Sequence, residues 1–133
     1  MAIEIRGMAP LLSVFDMSAS MKFYCEGLGF EVAASDGKPA PDIDWVLLRL
    51  NGTELMLNTA YEKEDRPASP DPARIAAHQD TVIYMGCPDV DGAWAHLRAK
   101  EIATKEPAVA PYGMKQLYLS DPDGYQLCFQ WPV

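Results

Sequence analysis

The feature that most constrains the fold of this chain is an internal repeat. Each half contains a short apolar run, an aspartate that can cap a helix, an apolar helical stripe and a later turn between two apolar segments. The capping aspartates, Asp16 and Asp89, are 73 residues apart, and the turn glycines, Gly52 and Gly124, are 72 residues apart. Because the same order of elements recurs at a nearly constant offset, the sequence indicates a duplicated structural unit.

The first half is predicted to run as strand, helix and three strands. Residues 10–15 are an apolar run, and Asp16 precedes a segment in which apolar residues recur at helical spacing. A second strand should follow this helix. Residues 45–50 and 54–57 then flank an Asn51-Gly52 pair, which is the strongest short signal for a β-hairpin.

The second half is predicted to repeat that order. Its elements are expected at residues 81–85 (strand), a helix after Asp89, 102–105 (strand), and 116–119 and 125–129 (strands). The last two strands flank Asp121-Pro-Asp-Gly124, a turn sequence. We therefore expect one domain, residues 1–133, with a first module at about 8–60 and a second at about 80–133.

The segment between the modules, at about 61–79, differs in composition from both. It is rich in Pro, Asp, Glu, Ala and Arg, and it contains Pro67, Pro70 and Pro72. Proline disrupts the interior of helices and strands. We expect a linker or lid that lacks a regular element.

Charge and size narrow the classes of partner. A chain of 133 residues that is 49% hydrophobic can bury a core without disulfides or a structural metal. Its 19 acidic and 11 basic residues give a formal net charge of -8, which opposes binding to nucleic acid and to an anionic membrane surface. Excess negative charge instead favours cationic ligands.

Cysteine usage and hydropathy point to the cytoplasm. Cys25, Cys87 and Cys128 are odd in number and widely spaced, which is not typical of a disulfide framework or a CxxC motif. No run of apolar residues has the length of a signal peptide core or a membrane span. We expect a cytoplasmic protein without a membrane partner.

Two motifs resemble those of the vicinal oxygen chelate superfamily, which includes glyoxalase I, extradiol dioxygenases and bleomycin-resistance proteins. The first is Val14-Phe-Asp16 leading to Met21-Lys-Phe-Tyr-Cys-Glu-Gly-Leu-Gly-Phe30, and the second is Leu119-Ser-Asp-Pro-Asp-Gly-Tyr125. The resemblance implies an α+β fold in which two βαβββ modules form a curved mixed sheet around a central cavity. It also implies a homodimer.

The resemblance further implies four positions at which metal-dependent members hold their ion. Counted from the capping aspartates and the turn glycines, these positions fall on Ala9, Met56, Val82 and Cys128. Alanine and valine offer no donor atom, and a lone thiol and thioether attract at most a soft ion. We therefore predict no metal site and no cofactor.

The cavity-facing positions implied by the resemblance, together with strand alternation, predict a ligand-binding set. Its members are Trp45, Met56, Asn58, Tyr84, Tyr112, Met114, Tyr118 and Cys128. Simpler interpretations stay open: Trp45 and Tyr118 as core aromatics, Tyr112 and Met114 as plain loop residues, and Cys128 as an inert buried thiol.

The resemblance leaves several functions open. The first is sequestration of a small cationic or aromatic molecule in the cavity, as in bleomycin-resistance proteins, with a role in antibiotic resistance. The second is a metal-dependent lyase or dioxygenase, which requires ligands that this sequence does not have. The third is a metal-independent lyase or isomerase using Glu54 or a tyrosine as acid or base. The missing ligands and the acidity favour the first, a binding protein without catalysis.

Overall fold

A computed structural model describes residues 2–133 of the chain, which divide into two compact units. Unit 1 ends at Arg66, and unit 2 runs from Pro67 to Val133. Each unit contains one four-stranded sheet and the helices packed on it.

Unit 1 follows the predicted order of strand, helix and three strands. Its elements are β1 (Leu11–Val14), α1 (Met17–Met21) continuing as a π-helical segment (Lys22–Gly27), β2 (Glu31–Ser35), β3 (Trp45–Leu50), β4 (Thr53–Thr59) and a short 3-10 helix (Lys63–Asp65). The strand order in sheet 1 is β1-β4-β3-β2, with β1 parallel to β4 and the other pairs antiparallel.

Local chemistry explains where these elements begin and turn. The Asp16 carboxylate accepts a hydrogen bond from the Ala19 amide at 3.3 Å and so caps the start of α1. Asn51 and Gly52 both have positive φ, 51° and 82°, as a two-residue hairpin turn requires. The predicted cap and hairpin are confirmed.

The core of unit 1 lies between its helix and one face of its sheet. Alternate strand residues are buried there together with Tyr24 of the helix: Leu12, Val14, Val46, Leu48, Leu55 and Leu57. The opposite face of sheet 1 is less buried and carries both polar residues, such as Arg49 and Asn58, and apolar ones, such as Trp45 and Met56.

Unit 2 repeats the order after one additional helix. Its elements are α2 (Pro72–His78), β5 (Val82–Gly86), α3 (Val90–Ala99), β6 (Ala108–Val109), β7 (Met114–Ser120) and β8 (Gln126–Pro132). The strand order in sheet 2 is β5-β8-β7-β6, which matches that of sheet 1.

The strand register confirms the duplication. Leu11 of β1 is the partner of Met56 in β4, and Tyr84 of β5 is the partner of Cys128 in β8, so both members of the pair shift by the offsets of the sequence repeat. The fold is therefore α+β, with two βαβββ modules of mixed four-stranded sheets, as predicted.

The expectation of no regular element within residues 61–79 is wrong. Pro72 stands in the first turn of α2, where its missing N–H would have no intrahelical partner, and the Asp71 side chain caps the helix by accepting from the Ala73 amide at 3.0 Å. Pro72 is therefore favourable at the start of a helix, where it was expected to prevent one.

Helix α2 is held against the turn that connects β7 and β8. The Arg74 guanidinium forms an ion pair of 2.8 Å with the Asp123 carboxylate, and the His78 ring stacks on Tyr125 with centroids 3.9 Å apart. A Cβ added at Gly124 would lie 2.5 Å from the Ile75 carbonyl oxygen. Since only a glycine permits this approach, the contact depends on the sequence of the turn.

The strand predicted at 102–105 is also misplaced. The amide of Ile102 still donates to Leu97 at the end of α3, and Glu101 has a positive φ of 60°. Only after this helix end does the chain return to the sheet, where β6 covers Ala108–Val109.

Candidate functional site

One face of sheet 2 carries most of the residues predicted to bind a ligand. Leu117, Leu119 and Leu127 are buried on the helix side, so the alternate residues point to the opposite side, which we call the open face of sheet 2. Its strand residues are Val82, Tyr84, Met114, Gln116, Tyr118, Ser120, Gln126, Cys128 and Gln130. Tyr84 is 51% exposed there.

Two tyrosines and a cysteine are joined at the centre of this face. The Tyr84 and Tyr118 hydroxyls are 3.1 Å apart, within hydrogen-bond distance, and their rings meet edge to face. The fully buried Cys128 thiol donates a weak hydrogen bond to the Phe129 carbonyl oxygen at 3.9 Å and interacts electrostatically with Tyr118. Tyr118 is opposite Cys128 across β7 and β8, and Cys128 is opposite Tyr84 across β8 and β5, which explains why these three meet.

The electrostatics of this group favour neutral side chains. The hydrogen bond that the Tyr118 hydroxyl donates to the Tyr84 oxygen, followed by burial, raises the pKa of Tyr118 well above its usual range. Burial raises the pKa of the Cys128 thiol, although its interaction with Tyr118 acts in the opposite direction. At neutral pH Tyr118 and Cys128 therefore offer a hydroxyl and a thiol and no anion.

A second group on the open face contains two glutamines that were not among the predicted ligand-binding residues. The Gln116 side-chain amide donates to the Tyr112 hydroxyl at 2.8 Å and to the Gln130 side-chain oxygen at 2.9 Å. Gln116 is only 8% exposed, whereas Tyr112, in the loop before β7, is 69% exposed. Because side chains alternate along a strand, Gln116 lies on the same face as Tyr118, and Gln130 lies on the same face as Cys128. This alternation is the sequence signal that could have identified both glutamines.

The structure thus brings together the five predicted residues of unit 2. Tyr84, Tyr118 and Cys128 form one cluster, and Tyr112 reaches the same face through Gln116. Met114 is half-buried and lies two positions from Gln116 along β7, which gives it the same facing. Whether these residues bind a ligand stays a prediction.

The three predicted residues of unit 1 share a face of sheet 1. Trp45 is the register partner of Asn58, and Met56 lies two positions from Asn58 along β4. All three are half-buried. The Glu54 carboxylate, two positions from Met56 along β4, is held in an ion pair of 2.7 Å by Arg49.

The residues at the four implied metal positions do not fit a hard or borderline divalent ion. Ala9 and Val82 carry no donor atom, Met56 offers a thioether, and the raised pKa of Cys128 opposes the thiolate that a metal requires. Across residues 2–133, moreover, no three His, Cys, Asp or Glu side chains are grouped as metal ligands would be. The His78 ring is occupied elsewhere, because its Nδ1 donates to the Asp123 carbonyl at 2.7 Å.

Comparison with known proteins identifies the family. Residues 8–129 match the model of the glyoxalase/bleomycin resistance protein/dioxygenase superfamily. Since this match spans most of the chain, the protein belongs to that superfamily.

Individual relatives agree with this membership. YaeR of Escherichia coli (strain K12) is 28% identical over 114 residues, which cover 84% of each chain. TnmS3, an antibiotic binding protein from Streptomyces sp. CB03234, has a TM-score of 0.71 at 22% identity, covering 99% of this chain and 100% of its own. A glyoxalase/bleomycin resistance protein/dioxygenase from Nocardioides also has a TM-score of 0.71, at 20% identity, covering 99% and 87%. These two structures share the fold.

The helices described for residues 2–133 are all too short or too polar to cross a bilayer.

Proposed function

We propose that this protein binds a small aromatic or cationic organic molecule, without a metal, and holds it without changing it. The observation that carries the proposal is the hydrogen-bonded tyrosine pair on the open face of sheet 2, Tyr84 and Tyr118, whose hydroxyls are 3.1 Å apart. Two aromatic rings with their hydroxyls on one exposed surface supply both stacking area and polar contacts.

The side chains of Gln116 and Gln130 add hydrogen-bonding groups on the same face as the tyrosine pair. Gln116 uses its amide nitrogen for Tyr112 and Gln130, which fixes the orientation of all three side chains. Fixed polar groups bind a ligand at a lower entropic cost than mobile ones. The open face is therefore suited to a molecule with rings and with oxygen or nitrogen substituents.

Charge and family membership support the same class of ligand. A net charge of -8 attracts cations to the protein surface. TnmS3, with the same fold, is an antibiotic binding protein, and we extend small-molecule binding from it to this chain by analogy.

The arrangement of side chains does not favour the enzymatic alternatives. A metal-dependent lyase or dioxygenase needs several oxygen or nitrogen ligands, and Ala9 and Val82 supply none. A metal-independent lyase or isomerase needs a positioned acid or base. Glu54 is paired with Arg49, and the raised pKa of Tyr118 makes it a poor base at neutral pH.

The test is a ligand screen with matched tyrosine variants. Thermal shift with aromatic cations, cationic glycopeptides and glutathione adducts identifies a binder, calorimetry measures its Kd, and mass spectrometry examines the recovered compound. We expect recovery unchanged, and about fivefold weaker binding to Y84F for each lost hydrogen bond.

The W94F variant is the control, because Trp94 belongs to α3, which packs on the helix side of sheet 2 and not on its open face. It should bind the compound as the original protein does. Conversion of the compound, or a loss of affinity in W94F but not in Y84F, would contradict the proposal.

A further inference from the structure

Unit 1 contains a groove at a different place from the face of sheet 1 that carries the predicted ligand-binding residues. It has a volume of about 580 Å³ and lies between the start of α1, the loop connecting β2 and β3, and the segment that follows β4. Its lining includes Phe15, Ile43, Tyr61 and Arg66. This volume is in the range of sites that take drug-sized molecules.

Two aromatic rings form part of the wall. Phe15 and Tyr61 meet edge to face, with centroids 6.2 Å apart and planes at 81°. Both are half-buried, so each ring has one part packed in the unit and another available to a ligand. Ile43 adds apolar surface.

A cation from the chain itself already rests on this wall. The Arg66 guanidinium carbon lies 5.2 Å from the centroid of the Phe15 ring, and its Nη1 is 3.9 Å from the Asp16 carboxylate. A cation over an aromatic face is attracted by the ring quadrupole, and a nearby carboxylate adds to that attraction. The Arg66 side chain is 46% exposed, so a ligand can compete with it from solvent.

The groove carries more negative than positive charge. Its acidic residues are Asp16, Asp42, Asp44, Glu62 and Glu64, against Lys38, Lys63 and Arg66. Lys38 is paired with Asp44 at 2.6 Å and Lys63 with Asp42 at 2.8 Å. In the described part of the chain, Glu62 and Glu64 make no ion pair of their own, although their charges act on these lysines.

We propose that this groove is a second binding site, selective for aromatic molecules with a quaternary or protonated nitrogen. The cationic group of the ligand takes the place of the Arg66 guanidinium over Phe15 and beside Asp16, while its ring packs against Tyr61 and Ile43. The site does not depend on the ligand proposed for the open face of sheet 2.

The experiment compares a cationic probe with its neutral isostere. The probes are para-hydroxyphenyltrimethylammonium and para-tert-butylphenol, which differ in charge and hardly in shape. Titration into isotope-labelled protein, followed by amide chemical shifts, gives the Kd and the location together. We expect shifts at residues 15–18, 42–44 and 59–66, and binding of the cation about threefold or more tighter than that of the phenol.

Two variants test the competition with Arg66. R66A removes the resident cation, so binding of the ammonium probe should tighten about three- to tenfold, whereas F15L removes the ring and should weaken it about threefold or more. R98A is the matched control, because Arg98 rests over Trp94 at 4.8 Å in unit 2. It should leave the Kd unchanged.

Equal affinity for both probes, or an R66A variant that binds the ammonium probe no better, would overturn the second site. Shifts confined to the open face of sheet 2 would also overturn it, while supporting the proposed function. Loss of the open-face ligand in the earlier screen would leave the groove titration unaffected.

Discussion

In the folded protein the pKa values of Tyr118 and Cys128 are higher than those of unperturbed tyrosine and cysteine side chains. The main cause for Tyr118 is the hydrogen bond that its hydroxyl donates to the Tyr84 oxygen, and the main cause for Cys128 is burial. A raised folded pKa means that the folded state prefers the protonated form. The associated stability is fully present below the unfolded pKa and is lost as pH rises through the folded one.

This predicts alkaline sensitivity. The free energy of unfolding, measured by urea titration at a series of pH values, should be level up to about pH 8 and then fall, because unfolded cysteine ionises near 8.5. C128A should show a shallower fall, since it lacks one such group. Cys25 and Cys87 also have raised pKa values and remain in the variant. Equal pH slopes for the two proteins would contradict the assignment.

At the same scale, sequence reasoning predicted the facing of the site residues better than their contacts. Alternation along β5 and β8, combined with the cavity-facing positions that the resemblance implies, was sufficient to group Tyr84 with Cys128. The hydrogen bonds of Gln116, however, depend on its register opposite Gln130 across β7 and β8 and on the course of the loop that carries Tyr112. Register and loop course are properties of the folded sheet, and one sequence does not specify them.

Among the elements, α2 was missed because its prolines were judged by their usual effect in helix interiors. Pro72 is at the helix start, where proline is favourable, and Asp71 before it provides the cap. The short helix then depends on tertiary contacts, since seven residues alone form no stable helix in water. Those contacts, through Arg74 and His78, come from a turn some fifty positions away, beyond the reach of any local pattern.

The ion pair between α2 and the turn predicts that removing one of its two charges strongly destabilises the protein. Arg74 and Asp123 are 18% and 3% exposed in their side chains, and removing one partner of a buried pair leaves the other charge uncompensated. R74A should lower the free energy of unfolding by about 3 kcal/mol, measured by urea titration.

R49A is the control for that measurement. Arg49 pairs with Glu54 at a comparable distance of 2.7 Å, but the side chains are 53% and 35% exposed. Exposed pairs contribute about 0–1 kcal/mol, so R49A should unfold nearly as the original protein does. If the two variants are destabilised equally, the docking of α2 adds nothing beyond a surface ion pair.

For the molecule as a whole, the duplicated order of elements was enough to predict the fold class, because each half on its own specified strand, helix and hairpin. The resemblance to the superfamily, applied to both halves of the repeat, implied where metal ligands would have to be, and the residues there, Ala9 and Val82 in particular, carry no donor. The repeat did not predict the places where the second half differs from the first. These are the additional helix α2 and the strand β6, which is short and begins later than expected.

Because the four implied metal positions lack suitable ligands, we expect chelators to have no effect on the protein. Dialysis against EDTA should leave the thermal midpoint and the binding of any screened ligand unchanged, whereas a structural divalent ion contributes on the order of 10 kcal/mol. Calorimetry with Zn²⁺ and Ni²⁺ gives the complementary measurement. A stoichiometric ion that is lost only with the fold would show that the donor groups have been misread.

The two hairpins occupy equivalent places in the repeat but differ in their freedom to vary. Gly124 is closed in by the Ile75 backbone, whereas a Cβ at Gly52 would have no atom within 4.0 Å. Because both glycines have positive φ, a side chain is strained at either position, but only at Gly124 would it also collide with another segment, so substitution should be tolerated better at Gly52. For protein engineering, the earlier hairpin is where an epitope tag or a dye can be grafted.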